Sequence, residues 1–231
     1  MKKYKLFAMG LAMAGAMSFT SCADDYLDTA PTDAVSNVTI AQNMESLYLG
    51  LNGIHRQMIS QESGYQCMGG LGGMMYIMDI MADDITWLTN TWMKAAYLGW
   101  QCNTNNQNGY NTVFWRLYYQ WIMNANGLLE VLDGTDVSTL SGGDKALYEQ
   151  IRGEALVFRA FSHFQAVQTY ADAYKAGGNN SQPGVPYRTV ENKVDQELAR
   201  SSVEETYAKI NADLAEACSL LEGKNITELN H

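Results

Sequence analysis

Between Tyr148 and Tyr174 the chain reads YEQIRGEALVFRAFSHFQAVQTYADAY, without proline and with one glycine, Gly153. Apolar or small residues recur there at intervals of three and four on two faces. Leu147, Ile151, Ala155, Phe158 and Ser162 mark one, and Leu156, Ala160, Phe164, Val167 and Tyr170/Ala171 the other. A helix apolar on two sides lies between other helices, and its small residues let neighbours approach around the phenylalanine knobs. The same spacing predicts the flanking helices. Ala41–Ile59 carries Met44, Leu47, Tyr48, Leu51 and Ile54/His55, with Asn37 or Thr39 as its cap. Met74–Ile85 is a short methionine-rich helix of the kind that fills irregular core. Thr112–Leu132 steps through Trp115, Tyr118, Ile122, Ala125/Asn126, Leu129 and Leu132, and closes at Asp133-Gly134. Ser201 with Glu204, or Ser202 with Glu205, forms a capping box before a last helix through Val203, Tyr207, Ile210, Leu214, Ala217/Cys218 and Leu221. No stretch alternates as a strand would, so the prediction is an all-α fold of helical hairpins with long loops.

Three of those loops interrupt the helical pattern. Gln61–Gly73 holds four glycines in five residues from Gly69, which cannot sustain a helix. It lacks the flanking strand and the lysine of a phosphate-binding loop. Residues 175–190, KAGGNNSQPGVPYRTV, carry the chain across a surface. Trp87–Asn111 combines Trp87, Trp92, Tyr97 and Trp100 with Asn90, Asn103, Asn105 and Asn106. Loops on a rigid scaffold concentrate binding residues. Aromatic faces beside amides and carboxylates suit a sugar, whose C–H faces stack and whose vicinal hydroxyls take paired hydrogen bonds. Together with the loop's position in the family resemblance given below, this composition picks out Trp92, Trp100 and Asn103 for ligand contact, with Asp84 and Trp87 behind them; the bland alternative is that these tryptophans plug the helical core.

The first residues change the picture of where the chain works. Lys2, Lys3 and Lys5 precede an apolar run, Leu6–Met17, in the order of a signal peptide. That run is shorter than the roughly 20 apolar residues of a membrane-spanning helix. Cys22 directly follows Phe19-Thr20-Ser21, as the acylated cysteine of a bacterial lipoprotein follows its lipobox, although phenylalanine stands where leucine is usual. The alternative is an ordinary cleavable signal with a cysteine nearby. Several acyl chains would anchor the protein firmly, whereas one chain binds only marginally. The expected division is a signal peptide over residues 1–21, an acidic tether over 22–37 and a helical domain over 38–231.

Charge and composition then exclude function classes. Removing Lys2, Lys3 and Lys5 with the signal lowers a formal net charge of −10 by three, to −13. Such a chain offers no basic footprint for nucleic acid. Cys67, Cys102 and Cys218 cannot all pair with one another, and His55, His163 and His231 sit at no metal-ligand spacing. No metal and no cofactor is expected. Asp83-Asp84 is no glycosidase pair, because adjacent helix residues do not face one another. Arg159 and Glu154 read as a structural ion pair or loop anchors, Arg152 as solvent-facing and His55 as a partly buried polar residue of the first helix. With no catalytic constellation in view, the chain is expected not to be an enzyme.

Four blocks carry a family resemblance. Glu154, Ala155, Arg159, Ala160 and Phe164 match an E-A-x-x-x-R-A-x-x-x-F helix; Gly184, Val185 and Pro186 match a G-x-P-L turn in which Tyr187 replaces leucine. Arg200, Ser202, Val203, Glu205, Tyr207, Ile210, Asp213, Leu214 and Ala217 match R-x-S-V-x-E-x-Y-x-x-I-x-x-D-L-x-x-A. Trp115, Tyr119, Ile122, Ala125 and Asn126 match W-x-x-x-Y-x-x-I-x-x-A-N, and CADDYLDTAPTD resembles the mature start. In their order along the chain these blocks resemble the N-terminal part of the starch-utilisation-type lipoproteins of Bacteroidetes, the SusD/RagB family, with tetratricopeptide-like hairpins. The resemblance implies a lipid-anchored, surface-exposed outer-membrane protein that partners a SusC-like TonB-dependent transporter and captures oligosaccharides, or peptides in the RagB branch. It also implies that the C-terminal part of the domain is missing from this chain. A helical adaptor that binds only protein is the competing reading.

Overall fold

The computed structural model describes residues 43–61, 69–82, 109–193 and 195–223. These carry five α-helices and one 3-10 turn in the order α1 (Met44–Ile59), α2 (Gly70–Met81), α3 (Gly109–Asp133), the turn (Val137–Thr139), α4 (Gly142–Tyr170) and α5 (Val203–Leu221). Among the described residues there is no strand, only two isolated bridges, Gln61 with Gly69 and Pro183 with Ser202. The fold is all-α. All of these residues fall in one unit, Ile40–His231.

The central helix α4 lies where its two apolar faces require. Ile151, Ala155, Leu156, Phe158, Ala160, Ser162, Ala166 and Val167 are buried. Three side-chain pairs show that α3 runs antiparallel to it. Arg152 Nη1 donates to Asp133 at 2.6 Å, Arg159 Nη1 to Asn126 at 3.1 Å, and the Tyr118 hydroxyl meets that of Thr169 at 3.3 Å. As one number rises the other falls. Two core clusters result. One joins Met74, Ile77 and Ile80 of α2 to Phe114, Leu117, Tyr118 and Trp121 of α3, and takes in Val185, Tyr187, Val203 and Ile210. The other packs Leu47, Leu51 and Ile54 of α1 against Leu128, Leu129 and Leu132 of α3 and Ile151, Ala155 and Leu156 of α4. Fully burying such a side chain is worth about 1.5–3 kcal/mol.

Several boundaries depart from the periodicity. Asn43 caps α1, its side chain accepting from Ser46 N at 2.8 Å, in place of the expected Asn37 or Thr39. α2 begins inside the glycine run that was expected to stay a loop. Gly70 has φ +53° and seats against the Met58 carbonyl, where a Cβ would collide with backbone. Close packing on α1 thus outweighs the low helix propensity of glycine. α3 starts at Gly109, three residues inside the expected aromatic loop. α4 ends at Tyr170, with Ala171 as its extended cap, so Asp172–Tyr174 leave the helix. The capping box resolves to Ser202 and Glu205, each bonding the other's backbone N–H at 3.1 and 2.9 Å. Gly153 also has a role: a Cβ there would lie 2.6 Å from Leu221 Cγ, so its absence admits the end of α5 against α4.

Candidate functional site

A buried polar constellation lies where α3, α4, α5 and the segment after α4 converge. Arg159 forks onto Asp213 of α5, Nε to Oδ2 and Nη2 to Oδ1, each at 2.7 Å. Its third arm reaches Asn126 of α3. Tyr187 donates its hydroxyl to the same Asp213 Oδ2 at 2.6 Å, and its ring stacks on His163 with centroids 3.8 Å apart. Arg159 and Asp213 are each 8% exposed, so this pair is desolvated and depends on its full set of hydrogen bonds. Burial and then the Asp213 carboxylate hold the Tyr187 phenol far above its ordinary value, so it stays protonated and donating.

His163 has both ring nitrogens engaged. Its Nδ1 lies 2.8 Å from the Arg159 carbonyl oxygen, which can only accept, so Nδ1 carries the proton. Its Nε2 accepts from the Arg188 backbone N–H at 3.0 Å. Both nitrogens are thereby committed to backbone. Burial, with the nearby Arg159 charge also opposing protonation, lowers its pKa to about 3. The ring is a neutral strut that does not titrate near neutral pH. The cluster therefore clamps the segment after α4 onto three helices.

Arginines finish that clamp. Arg200 donates to the carbonyls of Gly184 and Tyr170, the latter at 2.6 Å, supplying the end of α4 with a partner for an orphan carbonyl. Arg188 ties the carbonyls of Lys193 and Gln196. Tyr119 donates to Pro186 O at 2.8 Å, and Asn126 to Arg188 O at 3.2 Å. Gly184 is confined between Thr206 and the Ser201 and Ser202 carbonyls, its missing Cβ only 2.6 Å from Thr206 Oγ1.

Two ion-pair expectations need correction. Arg159 pairs with Asp213 and not with Glu154; five residues apart on one helix, the two point about 140° away from one another. Glu154 instead meets His55 Nε2 at 3.1 Å and Gln150 at 2.9 Å. His55 itself is exposed, not partly buried, with its ring edge-on to Phe158. Arg152, expected in solvent, bridges Asp133 and Glu216 at 2.6 and 2.7 Å and so ties together α3, α4 and α5.

The residues picked out for ligand contact, Trp92, Trp100, Asn103, Trp87 and Asp84, lie outside the described residues, as does Cys22. So do Cys67 and Cys102; Cys218 is an exposed free thiol on α5. Among the described residues no His, Cys, Asp and Glu gather in threes as a metal site would need. No described helix is long and apolar enough to cross a membrane.

The clamp is built largely from motif residues, Asn126, Arg159, Gly184, Arg200 and Asp213, joined by Tyr187 where the chain departs from the motif's leucine. Comparison with known families agrees with that. Residues 25–228 match the model of the SusD-like proteins, described as starch-binding and associating with the outer membrane. The chain belongs to the SusD-like family. The fold agrees with crystal structures of a SusD-like carbohydrate binding protein from Bacteroides vulgatus and a SusD superfamily protein from Bacteroides thetaiotaomicron. The first is 22% identical with a TM-score of 0.64 over 82% of this chain, and the second 21% identical with a TM-score of 0.56 over 77%. This SusD-like chain spans only 38% and 37% of the length of those two proteins. No curated protein sequence matches it significantly.

Proposed function

We propose that this chain serves as a non-enzymatic glycan-binding module at the bacterial outer membrane. The observation that carries the reading is the family match over residues 25–228, whose motif residues form the buried clamp. In this reading acyl chains on Cys22 hold the protein to the membrane, a SusC-like TonB-dependent transporter is its partner, and captured oligosaccharide is handed on for uptake. Trp92, Trp100 and Asn103, supported by Trp87 and Asp84, supply stacking faces and hydroxyl-bonding groups. Binding without bond cleavage is consistent with a His163 whose nitrogens are both engaged.

Native electrophoresis of the whole chain through gels containing a panel of polysaccharides tests this. Retardation by at least one polysaccharide, with no release of reducing ends, is the expected result. Mobility unchanged in every gel would refute glycan binding, and turnover would refute the non-enzymatic reading. Trp100→Ala should weaken retardation while leaving the thermal midpoint unchanged. A lowered midpoint with intact retardation would make Trp100 a core residue.

A further inference from the structure

An exposed tyrosine after α4 is held in place by more structure than a surface residue needs. Tyr174 is 45% exposed, yet its ring meets that of Tyr207 edge-on with centroids 5.2 Å apart. Tyr207 in turn meets Phe164 edge-on at 6.1 Å, and both pack against the core. The Glu204 carboxylate lies close enough to hold the Tyr174 phenol above its ordinary value, and its Oε2 accepts from Asn180 Nδ2 at 3.2 Å. Asn180 is 2% exposed and adopts a left-handed backbone, φ +45°, which asparagine tolerates better than most residues. Its side chain fixes the turn, accepting from Lys175 N at 2.7 Å and donating to the Lys175 and Gly178 carbonyls. Its own carbonyl accepts from Glu204 N at 3.0 Å.

An aromatic ladder thus leads from the core to an open ring, and a buried amide sets the carboxylate next to it. A carboxylate offers about four acceptor sites, and the Asn180 bond uses one. We propose that Tyr174 and Glu204 form a further glycan subsite, built from residues other than those of the aromatic stretch at 87–103. The Tyr174 ring stacks on a pyranose C–H face, and Glu204 accepts from a neighbouring hydroxyl. A neutral, hydroxyl-rich ligand suits a site whose charged group is already hydrogen-bonded and whose approach is an exposed turn, residues 172–179. Preorganisation matters here, because a ring fixed beforehand loses little freedom when ligand arrives.

This inference rests on the glycan-binding reading above, and the test separates the two. In polysaccharide gels of the whole chain, Tyr174→Phe keeps ring and packing, whereas Tyr174→Leu keeps apolar bulk but removes the face. Retardation is expected to survive in Tyr174→Phe and to weaken about three- to tenfold in Tyr174→Leu, the range of an aromatic contact. Glu204→Gln should weaken it further in combination with Tyr174→Leu. Equal retardation of the two Tyr174 variants, with the wild type bound, overturns the subsite and leaves glycan binding standing. A wild type that no polysaccharide retards overturns both.

Discussion

At the scale of single residues, the fold is held by a buried ion pair that shares its atoms with a tyrosine and an asparagine. Removing one partner of such a pair leaves an uncompensated charge and typically costs about 3–5 kcal/mol. Asp213→Ala should lower the urea-unfolding free energy by that amount. Arg159→Met combined with Asp213→Ala should recover a large part, because the stranded guanidinium is gone. His163 makes a second residue-scale prediction. Its folded pKa, about 3, lies below the unfolded value near 6.5, so the unfolded chain takes up the proton first. Its contribution is intact above pH 6.5 and is lost progressively as pH falls toward 3. At pH 5 the loss is about 2 kcal/mol relative to pH 7.5, and in His163→Gln the difference in urea midpoint between those two pH values should shrink correspondingly. Neither feature can be read from local sequence. Arg159 and Asp213 are 54 positions apart, and helical periodicity says which face a residue occupies, not which charge it meets.

At the scale of elements, most of what formed was legible and the exceptions share a cause. The two apolar faces of α4, the ladder of α3 and the capping box of α5 follow from spacing and cap chemistry alone. The start of α2 did not, because propensity treats glycine as a breaker while tertiary contact at Gly70 demands it. Gly153 is the same case in the middle of a helix. Alanine there would gain roughly 1 kcal/mol in helix propensity, yet its Cβ would press on Leu221 Cγ at 2.6 Å. Overpacking of this kind costs about 1–3 kcal/mol, so Gly153→Ala should be neutral to destabilising by thermal denaturation. Paired with Leu221→Ala, the same substitution should instead show its stabilising propensity. The candidate ligand residues belong to a different kind of reading. Trp92, Trp100 and Asn103 were chosen from side-chain chemistry and family position, which periodicity does not encode.

At the scale of the whole molecule, family membership came from four short blocks in order, and the structure gives the reason those blocks go together. Asn126, Arg159 and Asp213 lie on three helices, and Arg200 holds the Gly184 carbonyl of the loop block, so each block supplies a group that another needs. Tyr187 adds a bond to Asp213 where the chain departs from the motif. They form one clamp rather than four independent motifs. They report architecture, so the ligand must be learned from the loops. The proposed anchor makes the whole-molecule prediction. Cys22→Ser should move the exported protein from the detergent phase to the aqueous phase on Triton X-114 partition. An unmoved partition would rule out acylation at that cysteine.

Pinning the segment after α4 at both ends has a consequence for engineering. Asn180 locks one side of the turn at 175–180 to α5, and Arg200 ties the chain back to the last carbonyl of α4. Between those fixed points Gly177 is exposed, with open space where a side chain would project. Lengthening a surface loop costs only about 0.6 kcal/mol per doubling. A short peptide tag spliced in after Gly177 should leave the helices folded while parting Lys175 from Gly178, which Asn180 bridges, so a fluorophore attached there would report on the setting of Tyr174 and Glu204.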